Sequence, residues 1–266
     1  MVEASKVEAP NERARLVLMG ASNLTQGLLR VLEEARARLG TPFDAFAALG
    51  RGRSYGDTHS WFLIRRMQGM RVCGLWERLG RLEQGVSHAL VTDVGNDLPF
   101  GARPETILNW VGETLTRLED LGARCLVTGL PLPNLHALSP LAFAFWRRVI
   151  FPTHNLSRAD LLAGADELDR GLRELCAARG HTLVTPDPGW YGVDPVHLAR
   201  SKRRTAWRQI LHGWRPEAAP VQGDLPRAGW PDPLLCVPQR RWLMGFEQRR
   251  EQPCARVADS STLSLY

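Results

Sequence analysis

The chain has 266 residues, 44% of them hydrophobic and 23% charged, with a net charge of +6 and a pI near 9.5. That length suits one sizeable domain, or one domain with an appendage, and a core that needs no staples. Five cysteines, odd in number and without C-x-x-C spacing, argue against a disulfide framework and a structural zinc site. The positive charge is mostly Arg interleaved with Glu and Asp along the whole chain, which reads as solvated helix faces rather than a nucleic-acid footprint. The charged N-terminus has no apolar signal segment and no run of eighteen apolar residues occurs, so the expectation is a cytoplasmic protein that spans no membrane.

In chain order, residues 1–13 form a polar lead, and A-R-L-V-L-M-G (14–20) is a short aliphatic run suited to a buried parallel strand. Apolar residues at helical spacing over 25–39 predict a helix that Gly40 stops. F-D-A-F-A-A-L (43–49) predicts a second strand, followed by a Gly-rich loop and a helical segment over 61–82. H-A-L-V-T-D-V (88–94) is a third strand with a helix over 104–121, and R-C-L-V-T-G-L (124–130) is a fourth. Helices over 140–150 and 157–179 precede a fifth strand at 181–186, and a last helix covers 198–212. Beyond residue 213 the chain turns rich in Pro and Gly. Residues 214–266 are read as an extension, docked or partly disordered, in which Q-R-R-W-L-M-G-F-E-Q-R-R can dock and A-D-S-S-T-L-S-L-Y is loosely held. No internal repeat is present.

Strands alternating with helices imply right-handed crossovers, hence a three-layer α/β/α sandwich around a central, mostly parallel five-stranded sheet. Functional groups in such sheets gather at the carboxyl ends of the strands. Those ends carry Ser22, then Gly50, Gly52 and Gly56, then Asn96 and Asp97, and finally Asp194 and His197 in D-P-V-H. Together they fit acyl transfer. A serine hydroxyl becomes a useful nucleophile when an imidazole takes its proton, and the imidazole needs a carboxylate to hold its tautomer. Ser22 is the candidate nucleophile, His197 the base and later acid, and Asp194 the orienting carboxylate. A backbone N–H of the Gly-rich loop, the Asn96 amide and the Ser22 N–H are candidate oxyanion donors.

These blocks, G-A-S-N-L, G-R-G-R-S, V-G-N-D and D-P-V-H, resemble in order and spacing those of the SGNH hydrolases, or GDSL esterases and lipases, over residues 14–212. The resemblance implies an SGNH-like, flavodoxin-like fold. It also implies a serine esterase with a Ser22–His197–Asp194 triad and an oxyanion hole of Ser22, Gly52 and Asn96, with Gly56 as the fallback glycine. Ala21 and Val94 stand where the family usually has Asp and Gly. The chemistry requires no metal or organic cofactor. The expected substrate is a small-molecule carboxylic ester, such as a short acyl or acetyl ester of a carbohydrate or metabolite. No nucleic-acid or membrane partner is expected, and the sequence leaves the oligomeric state open.

Each residue alone has a plainer reading. Ser22 suits a helix N-cap and Asn96-Asp97 an Asx turn. G-A-S-N-L lacks the last glycine of a nucleophile elbow, and no P-loop occurs. His59, His154 and Asn155 are weak candidates for the cleft wall, and the other histidines are assigned structural or surface places. Two rival readings are a non-catalytic SGNH-like binding domain and a nucleotide-binding protein using G-A-S-N-L-T-Q-G as an anion loop.

Overall fold

The aliphatic runs of the sequence become the centre of a parallel sheet. The computed structural model describes residues 13–40, 42–56, 59–62, 64–150, 157–216, 229–232 and 235–266. Its elements begin with β1 (Ala14–Gly20), α1 (Ser22–Leu39), β2 (Phe43–Leu49), β3 (His59–Phe62), β4 (Arg65–Gln68), α2 (Leu75–Leu79) and β5 (His88–Val91). They continue with α3 (Pro104–Asp120), β6 (Arg124–Thr128), α4 (Leu132–His136), α5 (Pro140–Ile150), α6 (Arg158–Arg179) and β7 (Thr182–Val184). The last are α7 (Arg203–His212), β8 (Arg240–Leu243), β9 (Phe246–Arg249), β10 (Ala255–Arg256) and β11 (Thr262–Leu265).

The main sheet has the order β10-β11-β2-β1-β5-β6-β7, parallel throughout except for the antiparallel β10–β11 pair. Successive side chains of β1 point to opposite faces, as the pleat requires. Leu16 and Leu18 enter a core with Leu28, Leu32, Trp207 and Leu211 of α1 and α7. Val17 and Met19 enter the other core, with Val111 and Leu115 of α3 and Leu168 and Leu172 of α6. The three-layer α/β/α architecture expected from the alternation of elements is therefore present.

Four expectations need correction. The sheet has seven strands rather than five, because the chain end supplies β10 and β11. The same pairing overturns the loosely held tail: β11 lies parallel to β2 and Thr262 to Tyr266 are all buried. T-L-S-L alternates, but four residues with polar neighbours are too short a signal to read as a buried strand. Residues 61–82 are not one helix. β3 and β4 form a hairpin that β8 and β9 extend into a second, antiparallel sheet, and the short α2 is the helical remainder. Finally, α7 starts at Arg203 rather than 198. The N–H of Leu198 donates to Asn23 Oδ1 and that of Ala199 to the Trp190 carbonyl, so both are engaged outside any helix. His154 and Asn155 lie outside the described residues. Among the described residues no helix is long and apolar enough to cross a membrane.

If β11 is integral to the core, truncating Leu263, which is 1% exposed, removes buried apolar volume. Leu263→Ala is expected to destabilise the fold by about 2–5 kcal/mol, measured as a lower urea midpoint with an unchanged m-value.

Candidate active site

Ser22 is the first residue of α1, two residues beyond the end of β1. The N-cap of that helix is Ala21, so Ser22 makes no capping bond and its hydroxyl is available elsewhere. It meets His197: Nε2 lies 2.9 Å from Ser22 Oγ. On the other side of the ring, His197 Nδ1 lies 2.6 Å from Asp194 Oδ2. The D-P-V-H segment builds this contact locally. The N–H groups of Val196 and His197 donate to Asp194 Oδ1 at 3.0 and 3.1 Å, closing an Asx-type turn around Pro195. Burial acts to raise the Asp194 pKa. The hydrogen bond and charge of His197, with those two N–H donors, outweigh it and hold the carboxyl below its ordinary value.

The oxyanion candidates face the same cavity, which Ser22, Gly52, Asn96 and His197 all line. Gly52 has φ = 66°, a left-handed conformation that glycine adopts more readily than residues with a Cβ. Asn96 Nδ2 donates one hydrogen to the Arg53 carbonyl at 3.1 Å, which fixes the amide plane and leaves the second hydrogen for another acceptor. Gly56, the fallback, lies differently. Its N–H donates to Ser54 Oγ at 3.0 Å, and a Cβ there would fall 1.9 Å from the Trp110 ring. Gly56 is thus a packing residue under Trp110.

The glycine loop is held from beneath by Arg53, which is 1% exposed. Its guanidinium donates to the carbonyls of Gln68 at 2.8 Å, Leu49 at 3.2 Å and Tyr266. Asp97 accepts from the Tyr55 N–H at 3.0 Å, and the Tyr55 hydroxyl reaches the Thr92 carbonyl at 2.7 Å. Asp97, singled out with Asn96, therefore supports the loop rather than facing the cavity.

Two residues that sequence reasoning passed over tie these loops together. Asn23 uses its whole side chain: Nδ2 donates to Asp93 Oδ1 at 2.8 Å and to the Val196 carbonyl at 2.9 Å, while Oδ1 accepts from the Leu198 N–H at 2.8 Å. Asp93, with φ = 60°, accepts from the Asn23 and Leu24 N–H groups at 3.1 and 3.2 Å. It caps α1 from another strand's loop, a place that Ala21 cannot fill. Burial raises the Asp93 pKa despite the opposing Asn23 and Leu24 donors and the His197 charge. The signal for Asn23 was its place beside Ser22. Nothing local marks Asp93, because the helix it caps lies about seventy residues earlier.

Of the remaining histidines, His136 pairs with Asp166 at 2.8 Å and His181 with Glu119 at 2.6 Å, both away from the cavity wall. Among the described residues no group of three or more His, Cys, Asp or Glu could hold a metal ion.

Three outcomes follow from this geometry. Asp93→Ala should cost about 0.5–2 kcal/mol, the range for a lost helix cap, in denaturant unfolding. Gly56→Ala should cost about 1–3 kcal/mol through overpacking against Trp110. Because the Asp194 pKa is depressed on folding, its contribution to stability is present at neutral pH and disappears as pH falls through the lowered value. The stability gap between wild type and Asp194→Asn should therefore shrink in acid, as read by thermal denaturation across pH.

Neither a protein-family model nor a curated protein sequence matches the chain. Solved structures do match its fold. The native aryl esterase of M. smegmatis aligns with a TM-score of 0.53 at 16% identity, covering 76% of this chain and 99% of the other. Est24, a carbohydrate acetylesterase from Sinorhizobium meliloti, aligns with a TM-score of 0.51 at 16% identity, covering 74% and 96%. Over about three-quarters of its length, this chain has the fold of these esterases.

Proposed function

We propose that the protein is a serine hydrolase of carboxylic esters, with Ser22, His197 and Asp194 as its triad. The observation that carries this reading is the unbroken hydrogen-bond path Ser22 Oγ–His197–Asp194, opening on a cavity that Gly52 and Asn96 also line. The shared fold with an aryl esterase and a carbohydrate acetylesterase supports the same reaction class.

In this mechanism Ser22 Oγ attacks the ester carbonyl carbon as its proton passes to His197 Nε2. The carbonyl oxygen becomes an oxyanion that accepts from the N–H groups of Gly52 and Ser22 and the free hydrogen of Asn96 Nδ2. Asp194, acceptor-only while ionised, holds Nδ1 protonated so that Nε2 is the basic nitrogen, and stabilises the imidazolium. The tetrahedral intermediate collapses by breaking the bond to the alkoxy oxygen, which takes the proton from Nε2. Water then repeats the sequence on the acyl-enzyme and releases the acid and free Ser22.

The test is labelling by a fluorophosphonate probe together with turnover of p-nitrophenyl acyl esters. Wild type is expected to label and turn over, Ser22→Ala to do neither, and Asp194→Asn to lose about 10⁴-fold in kcat. A wild type that neither labels nor hydrolyses any acyl ester overturns the proposal in favour of a binding domain.

A further inference from the structure

The cavity at Ser22 is far larger and more apolar than an acetyl group requires. It encloses about 720 Å³, in the range of pockets that engulf whole drug-sized ligands. Besides the loop carrying D-P-V-H and α7, which contribute Trp190, Val196 and Trp207, its walls come from four further parts of the fold. They are Leu98 and Phe100 after β5, Leu130 and Leu135 around α4, Phe143 of α5 and Leu161 of α6. Leu98, Leu130 and Leu135 are buried and their carbons face the cavity together. The ionisable side chains that border it are few: Arg51, Asp93, His197 and, one turn beyond Phe143, Arg147. A hydroxyl-rich sugar would meet little on the leucine and phenylalanine wall to accept or donate a hydrogen bond, and leaving its hydroxyls unpaired is costly.

The reaction geometry says which half of an ester belongs there. His197 Nε2 must reach the leaving oxygen to return its proton, so the alcohol lies beside the loop carrying D-P-V-H. The acyl portion extends from Ser22 to the remaining wall, the loops after β5 and β6 and the helices behind them, which carry no triad member. Resting on the esterase reading above, we infer that the cavity is an acyl site and that the substrate class is esters of medium-chain, octanoyl-length acids rather than acetyl esters.

The experiment uses the full chain and p-nitrophenyl acetate, butyrate, hexanoate and octanoate, which keep one leaving group. The kcat/KM is expected to rise about two- to fourfold for each added methylene, the upper figure being complete burial. The rise from acetate to octanoate is then at least about fiftyfold. Phe143→Gln, and independently Leu161→Gln from a different helix, should each lower the octanoate-to-acetate ratio about tenfold or more. A flat or falling profile in an enzyme that still hydrolyses acetate overturns the acyl-site inference while leaving the esterase reading intact. So does a rise that tracks the alcohol instead, seen with methyl to octyl acetates. Failure of both probe labelling and all turnover overturns the esterase reading itself.

Discussion

The site depends on joining two loops that lie 175 residues apart in the chain. Asn23 makes that join. Both amide hydrogens are used, by one carboxylate and one carbonyl, and its oxygen accepts one N–H, so a flipped amide would lose all three bonds. In that orientation the segment from Val196 to Leu198 is held against the first turn of α1, and His197 is delivered to Ser22. The same contacts explain why α7 begins late: the N–H groups at 198 and 199 bond to Asn23 and Trp190 instead of opening a helix. A helix delayed by a few residues is thus the structural consequence of fastening D-P-V-H to the first turn of α1.

A second support comes from the far end of the sheet. The guanidinium of Arg53 is buried, and burial disfavours its charged form. The carbonyls of Leu49, Gln68 and Tyr266 gather around it as acceptors. The Arg53 carbonyl in turn receives Asn96. One residue therefore links the glycine loop, the asparagine of the third strand end and the C-terminal strand. The seventh-strand position of β10, reached only through β11, is the outer edge of this arrangement. The C-terminal segment is thus joined to the main sheet and to the glycine loop.

The two carboxylates near His197 are distinguished by their surroundings. Asp194 lies in a turn of N–H donors and beside the imidazole, which favours its ionised form over the cost of burial. Asp93 sits where burial prevails, although the first turn of α1 donates to it. One carboxylate touches the ring directly, and the other reaches the site through Asn23. Proximity in the fold separates an orienting group from a cap, and residue type does not.

Much of this was legible in the residues. Strands β1, β2, β5, β6 and β7, most of the helices between them, and the placing of Ser22, Gly52, Asn96, Asp194 and His197 at one sheet edge follow from short aliphatic runs, helical periodicity and the carboxyl-end rule for parallel sheets. Local pattern carried that information because each signal spans only a few consecutive residues. It could not reveal β11, whose four residues look like tail until β2 covers them. Nor could it reveal the second sheet, where hairpin pairing overrode a helical pattern at 61–82. Asp93 and Arg53 were equally hidden, since a cap or a buried cation is defined by acceptors and donors from distant segments. The sequence by itself determined which chemical groups reach the edge of the sheet. Tertiary structure alone decided how they are held there, because the bonds that hold them join residues with no relation in sequence.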